Sequence, residues 1–274
     1  MVTVAACQLS ADVDAGPDED ALAASVVAAA RAGARLVVLP ELALGGSCFA
    51  DVAEARTHAE FEDGRTAQLV QRLSGELGIV VVAGFALLAG ESVHNAAVIA
   101  DRGEVLGVYR KVHLWDAEHQ GFVPSDGPPL VVDTHLGRVG VMICYDLEFP
   151  EWGRMAVEAG AQLLAVPVNW PLLPRPEGVP AIEVAKAQAV AAAYGVHVVV
   201  ADRCGTERGV DWVGGSLVCE STGYLLAGPA TPPGELARPG IVLAEVDLGA
   251  ADDKQVSTHN HLMRDRRPDL YSAT

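Results

Sequence analysis

The sequence has no C-x-x-C pair, and its five cysteines are an odd number. Neither a disulfide framework nor a thiolate zinc site is expected, and a reducing cytoplasm is the expected compartment. Positive charge is scarce: 19 Lys and Arg stand against 36 Asp and Glu, for a net charge of −17. Such a chain is not expected to bind nucleic acid, where Lys and Arg must neutralise phosphates. Acidity otherwise speaks to solubility and only weakly to substrate. Long apolar runs are missing too. The longest uncharged apolar stretch, Ala187 to Ala201, contains Gln188, Gly195 and His197 and falls short of the ~20 residues of a membrane span. Met1 to Gln8 lacks the basic start and apolar core of a signal peptide and reads as a first strand. Neither G-x-G-x-x-G nor G-x-x-x-x-G-K occurs, so Gly214-Gly215 is no phosphate loop. No Ser/Pro/Gly linker, internal repeat or low-complexity segment divides the chain, so residues 1–274 are expected to form one domain.

What is present is a large apolar complement, 50% of residues, in alternating strand and helix patterns. Residues 17–33 open with proline and acids and continue alanine-rich, as a helix does. A buried strand at 35–40 follows, then a helix at 65–77 and a strand at 79–86. Strands near 94–100 and 104–110 flank Asp101-Arg-Gly103 as a hairpin. Further strands are expected to Cys144 and at 162–168, 196–202, 213–219 and 241–247, with helices at 151–160 and 180–194. The class is α/β with mixed pairing.

The chemistry gathers at three strand ends. Val139-Gly-Val-Met-Ile-Cys-Tyr-Asp146 reads as a buried strand running to Cys144, followed by an acidic and proline turn and a helix. Ligands of open α/β sheets bind at such strand ends, and a thiol there is a nucleophile when base and positive charge are near. Leu39-Pro-Glu41 and Tyr109-Arg-Lys111 place a carboxylate and an ammonium in the same kind of position. Glu41 can take the thiol proton, while Lys111 and backbone N–H groups after the cysteine can hold an oxyanion. Taken singly, each has a plain alternative: a helix-start charge for Glu41, a surface lysine for Lys111, an inert buried thiol for Cys144. Together the three indicate nucleophilic catalysis.

With these residues in view, the chain resembles the nitrilase superfamily of carbon–nitrogen hydrolases over nearly its whole length. The resemblance runs from the opening strand and Gln8 through Leu39-Pro-Glu41, Tyr109-Arg-Lys-Val-His-Leu114 and Gly140 to Glu151. It continues through Ala201-Asp-Arg-Cys-Gly205 to Asp265-Arg-Arg-Pro-Asp-Leu-Tyr271. It implies a Glu-Lys-Cys triad of Glu41, Lys111 and Cys144, with Glu118, ahead of Phe122-Val-Pro124, as a second glutamate orienting Lys111 and substrate. It also implies a four-layer α-β-β-α sandwich, homodimers or higher oligomers joined through helical faces, and acyl transfer with neither metal nor organic cofactor. Tyr145 would lend its backbone N–H to the oxyanion. Tyr145-Asp146 after the nucleophile resembles the amidase and carbamoylase branches, so a small amide or carbamoyl compound is the expected substrate. Nitrile hydrolysis, a silent binding protein and an acyl-transfer role are the alternatives. One departure is Val190-Ala-Ala-Ala-Tyr194, where many members carry a charged Arg-Ala-x-Glu-Asn stretch.

The proline-rich segment Asn169 to Gly178 is expected to wall the pocket, with Asn169 as a substrate contact. Arg175 can grip a substrate carboxylate or stay solvated. Trp170 can line the pocket or pack under the loop. Phe149 to Glu151 is expected to form the turn that fixes the nucleophile. His113 is expected to serve as a structural hydrogen-bonding residue. His259 and His261 lack the companions of a metal site. Cys7, Cys48, Cys204 and Cys219, in or near apolar runs, are expected to be inert.

Overall fold

The computed structural model describes residues 1–271; residues 272–274 of the expected domain lie outside the described residues. The first half runs β1 (Val2–Gln8), α1 (Glu19–Arg31), β2 (Leu36–Val38), α2 (Val52–His58), α3 (Arg65–Leu77), β3 (Val80–Ala89), β4 (Ser92–Asp101) and β5 (Glu104–Arg110). The second half adds β6 (Leu130–Asp133), β7 (Arg138–Val141), α4 (Pro150–Glu158), β8 (Leu163–Pro167), α5 (Ile182–Tyr194) and β9 (His197–Ala201). A small hairpin of β10 (Thr206–Glu207) and β11 (Val210–Asp211) follows, then β12 (Leu217–Cys219), β13 (Leu225–Ala227), β14 (Gly240–Val246) and α6 (Pro268–Tyr271).

Two six-stranded mixed sheets result, ordered β14-β1-β2-β3-β4-β5 and β13-β12-β9-β8-β7-β6. Helices α1 and α3 cover the first sheet, α4 and α5 belong to the second, and β1 and β2 pack on β8 and β9. These are the four layers of an α-β-β-α sandwich. Period-two side-chain direction explains why the strands read as unbroken apolar runs. Val4, Ala6, Leu36, Val38, Val80 and Val82 join the core shared with the second sheet. Their neighbours Ala5, Cys7, Val37, Leu39, Val81 and Ala83 join the core under α1 and α3. Each strand thus serves two cores.

Helix α3 has the expected bounds because Gly78 caps it in the left-handed conformation, φ 67°, which glycine adopts without cost. The strand expected to reach Cys144 stops at Val141. Met142 and Ile143 stay fully buried, so the apolar run continues where the ladder has ended. Cys144 itself opens a 3-10 turn, Cys144–Glu148.

Candidate active site

Three strand ends from two different sheets converge. Glu41 follows β2 and Lys111 follows β5 in the first sheet, while Cys144 lies just beyond β7 in the second. The turn carrying Glu41 lies against Gly84 of β3: Gly84 N–H donates to Pro40 O (3.1 Å), and Ala43 N–H to Gly84 O (2.9 Å). A Cβ on Gly84 would stand 2.6 Å from Glu41 Cα, so only glycine admits this approach.

Asp146, fully buried, fixes the nucleophile turn. Its Oδ2 accepts from Ile143 N–H (3.0 Å) and the Tyr109 hydroxyl (2.7 Å), and its Oδ1 from His113 N–H (3.0 Å). His113 Nδ1 lies 2.7 Å from the same Oδ1, and its ring stacks on Phe149 at 3.8 Å. Asp146 therefore binds the Cys144 turn to the segment bearing Lys111. The expected turn at Phe149 to Glu151 is instead the start of α4, with Pro150 as its first residue.

Lys111 is 1% exposed and its Nζ donates to Glu41 Oε1 (2.7 Å), Glu118 Oε1 (2.8 Å) and Glu118 Oε2 (2.7 Å). Asn95, wholly buried in β4, donates to Glu41 Oε1 (2.6 Å) and Glu118 Oε1 (2.8 Å). The sequence did not single it out, although an Asn directly before the apolar run Ala96-Ala-Val-Ile-Ala100 was the available signal. Burial raises Glu41 to about 7, against the pull of the Lys111 ammonium and with the push of the Glu118 carboxylate. Burial alone would lower Lys111, but Glu41 and Glu118 carry it well above its usual value. Burial and the Glu41 charge push the Cys144 thiol well up, so at rest it is protonated.

These groups open on a cavity of about 370 Å³. Leu42, Phe49, Phe122, Trp115 and Trp212 give it apolar walls, and Asn169 reaches it from the end of β8. Arg203 Nε donates to Asn169 Oδ1 (3.0 Å), which leaves the buried Asn169 Nδ2 without a protein partner. Of five non-glycine residues with positive φ among those described, Leu42, Asp116, Cys144 and Arg208 line this cavity. Backbone strain of this kind collects at functional sites.

Other expected contacts fall elsewhere. Trp170, 4% exposed, is in the core, its ring against Gly215, so loop packing describes it and pocket lining does not. Arg175 is half-buried and not among the cavity residues. Tyr145 turns its ring edge-on to Phe149 at 5.0 Å and is not among the cavity residues. Cys48 stands in the cavity wall, but burial and the Glu207 carboxylate push its thiol up to about 11. His261 Nδ1 accepts from Met263 and Arg264 N–H (3.2 Å each), a turn acceptor. Among the described residues, no helix is long and apolar enough to cross a membrane.

The sequence profile of the family described as carbon-nitrogen hydrolase matches residues 3–254. The chain belongs to that family. Among similar carbon–nitrogen hydrolases is a nitrilase of Pyrococcus abyssi, 33% identical, with 99% of each chain covered. N-carbamoylputrescine amidase of Solanum lycopersicum is 31% identical over 99% of this chain and 94% of its own. The NitN amidase of Nesterenkonia sp. AN1 superposes with a TM-score of 0.79 at 26% identity, covering 99% of this chain and 98% of that one. In another structure of that amidase the active-site cysteine carries the acetamide moiety of fluoroacetamide. The present chain is thus a cysteine-dependent hydrolase of non-peptide carbon–nitrogen bonds.

Proposed function

We propose that this enzyme hydrolyses a small amide or N-carbamoyl compound through a thioester on Cys144. The observation that carries this is the Glu41–Lys111–Glu118 cluster, whose buried Glu41 and Lys111 line the cavity together with Cys144. Cys144 Sγ attacks the carbonyl carbon as Glu41 takes its proton. A carboxylate near 7 is matched to that task at neutral pH. A thiol held protonated needs such a base at the moment of attack. The oxyanion is received by Lys111 Nζ and the N–H of Tyr145. The first N–H groups of a helical turn have no intrahelical acceptor, while Asp146 N–H is already spent on Ile143 O (3.0 Å). Asn169 Nδ2 is a further donor for substrate. Protonated Glu41 returns its proton to the leaving nitrogen, which departs as ammonia or an amine. Glu41 then deprotonates a water that attacks the thioester, and the thiol leaves with that proton. Glu118 holds Lys111 between the two carboxylates.

A thiol nucleophile suits a reducing compartment, and we place the reaction in the cytoplasm. We also propose a homodimer or larger homo-oligomer joined through helical faces, since Met155 of α4 and Ile182 of α5 are exposed. A monomer by scattering at micromolar concentration would remove that part. The central test is ammonia release from ω-amides, other primary amides, N-carbamoyl amines, N-carbamoyl amino acids and nitriles, beside Cys144→Ala. Cys144-dependent release from amides or carbamoyl compounds is expected. Activity in Cys144→Ala near that of the unaltered enzyme would sink the nucleophile.

A further inference from the structure

The cavity contains two basic side chains, and both are already engaged. Lys111 is held between the Glu41 and Glu118 carboxylates, and what reach it keeps serves the oxyanion at the reacting carbonyl, not the far end of a substrate. Arg208, on the turn between β10 and β11, has five. Its Nε reaches Asp14 Oδ2 (3.0 Å). Its Nη1 reaches Glu54 Oε2 (2.7 Å) and Cys48 O (3.0 Å), and its Nη2 reaches Asp14 Oδ1 (2.5 Å) and Glu54 Oε1 (2.8 Å). Every donor of the fork is used, and two carboxylates outweigh its one charge. The Arg208 guanidinium and the Ala50 N–H hold Glu54 down to about 2, so it is ionised throughout the neutral range. Asp116, also in the cavity wall, is exposed with φ 45°, and its side chain has no hydrogen-bond or ion-pair partner among the described residues. Arg175, the residue able to grip a carboxylate, is not among the cavity residues.

We propose that this cavity selects uncharged and cationic substrates over carboxylate-bearing ones, because each cation facing it is already held between two carboxylates. The inference rests on the amidase reading above and narrows its substrate class. An anionic substrate would lose its hydration without finding a free donor fork, while Asp116 offers a cationic tail an unpaired charge. The excess of negative charge also repels an anion during approach, an effect that salt weakens.

The test uses three amides of one chain length that differ at the far end: pentanamide, glutaramate and 4-aminobutanamide. Glutaramate should be at least about tenfold poorer than pentanamide in kcat/KM, as like-charge juxtaposition predicts. The aminobutanamide should equal or exceed pentanamide, and both differences should shrink in high salt. Glutaramate turned over as well as pentanamide would overturn this inference while leaving the hydrolase intact. No Cys144-dependent turnover of any of the three would overturn the reading of an aliphatic amidase, and this inference with it. Asp14→Asn with Glu54→Gln frees Arg208 and should raise glutaramate relative to pentanamide several-fold. An unchanged ratio would overturn the role of Arg208. Asp116→Asn should lower the aminobutanamide alone, and an equal fall for all three would overturn the role of Asp116.

Discussion

Two buried cations, Lys111 and Arg203, are each 1% exposed, and each is paired with a fully or nearly fully buried glutamate. Their surroundings differ. Arg203 makes five contacts for its five donors: Asn169 Oδ1, Ala11 O, Glu207 Oε2, Glu41 O and Leu42 O. Glu207 answers with Oε1, which accepts from Val13 (3.1 Å), Ser47 (2.8 Å) and Cys48 N–H (3.3 Å). This closed pair ties together the loop after β1, the Glu41 turn and the end of β8, and neither member lines the cavity. The Lys111 cluster has the same burial but meets the cavity and the Cys144 thiol. A buried ion pair whose every polar atom is matched holds backbone in place. One left open on one side is available to charge that appears during a reaction.

The widest separation between the two should come from removing each cation. Lys111→Ala is expected to lower kcat about a thousandfold with little change in KM, the loss of an interaction made in the transition state. Its folding penalty should be modest, since Glu41 near 7 can take up a proton. A kcat within tenfold of the unaltered enzyme would end the assignment of Lys111 to the oxyanion. Arg203→Leu should do the reverse. It strands Glu207 in the interior, and removing one partner of a buried pair costs about 3–5 kcal/mol. A urea midpoint that does not move would show that the closed cluster is no scaffold.

The sequence made one of these clusters visible and hid the other. Glu41, Lys111 and Cys144 each follow a strand that reads as a buried run, so their positions at the sheet ends could be inferred. Arg203 sits in the Ala201 to Gly205 stretch that carries the family resemblance, and Glu207 lies two residues beyond it. Apart from each other and Asn169, their partners are backbone atoms of distant loops, which no local pattern encodes. The same limit explains Trp170 and Arg175: the proline-rich loop was legible as a loop, but which side chains it turns inward was not. Strand ends were blurred where burial outlasts pairing, as at Met142 and Ile143. Asn95 was missed because one polar residue in a buried strand is visible without revealing what it touches.

The smallest expected effect is also the most discriminating, because it alters the open cluster without removing its cation. Glu118→Gln keeps a side chain of the same shape beside Lys111 but deletes one negative charge. Imperfect placement of Lys111 should lower kcat by up to about a hundredfold. The pH dependence carries the sign. Burial lifts Glu41 to about 7, Lys111 opposes this, and the Glu118 carboxylate adds to it. Glu41 must be deprotonated to act, so kcat/KM of the unaltered enzyme should fall as pH drops through about 7. With Glu118 neutral, a negative charge that raises Glu41 disappears and Lys111 is shared with one carboxylate fewer. Both changes lower the Glu41 pKa, so the acid limb should move to lower pH and activity should persist further into acid. A limb that stays in place while kcat falls would reduce Glu118 to a prop for the turn it accepts from at Trp115 N–H (2.6 Å). A limb that moves upward would mean that Glu41 is not the base whose ionisation governs the rate.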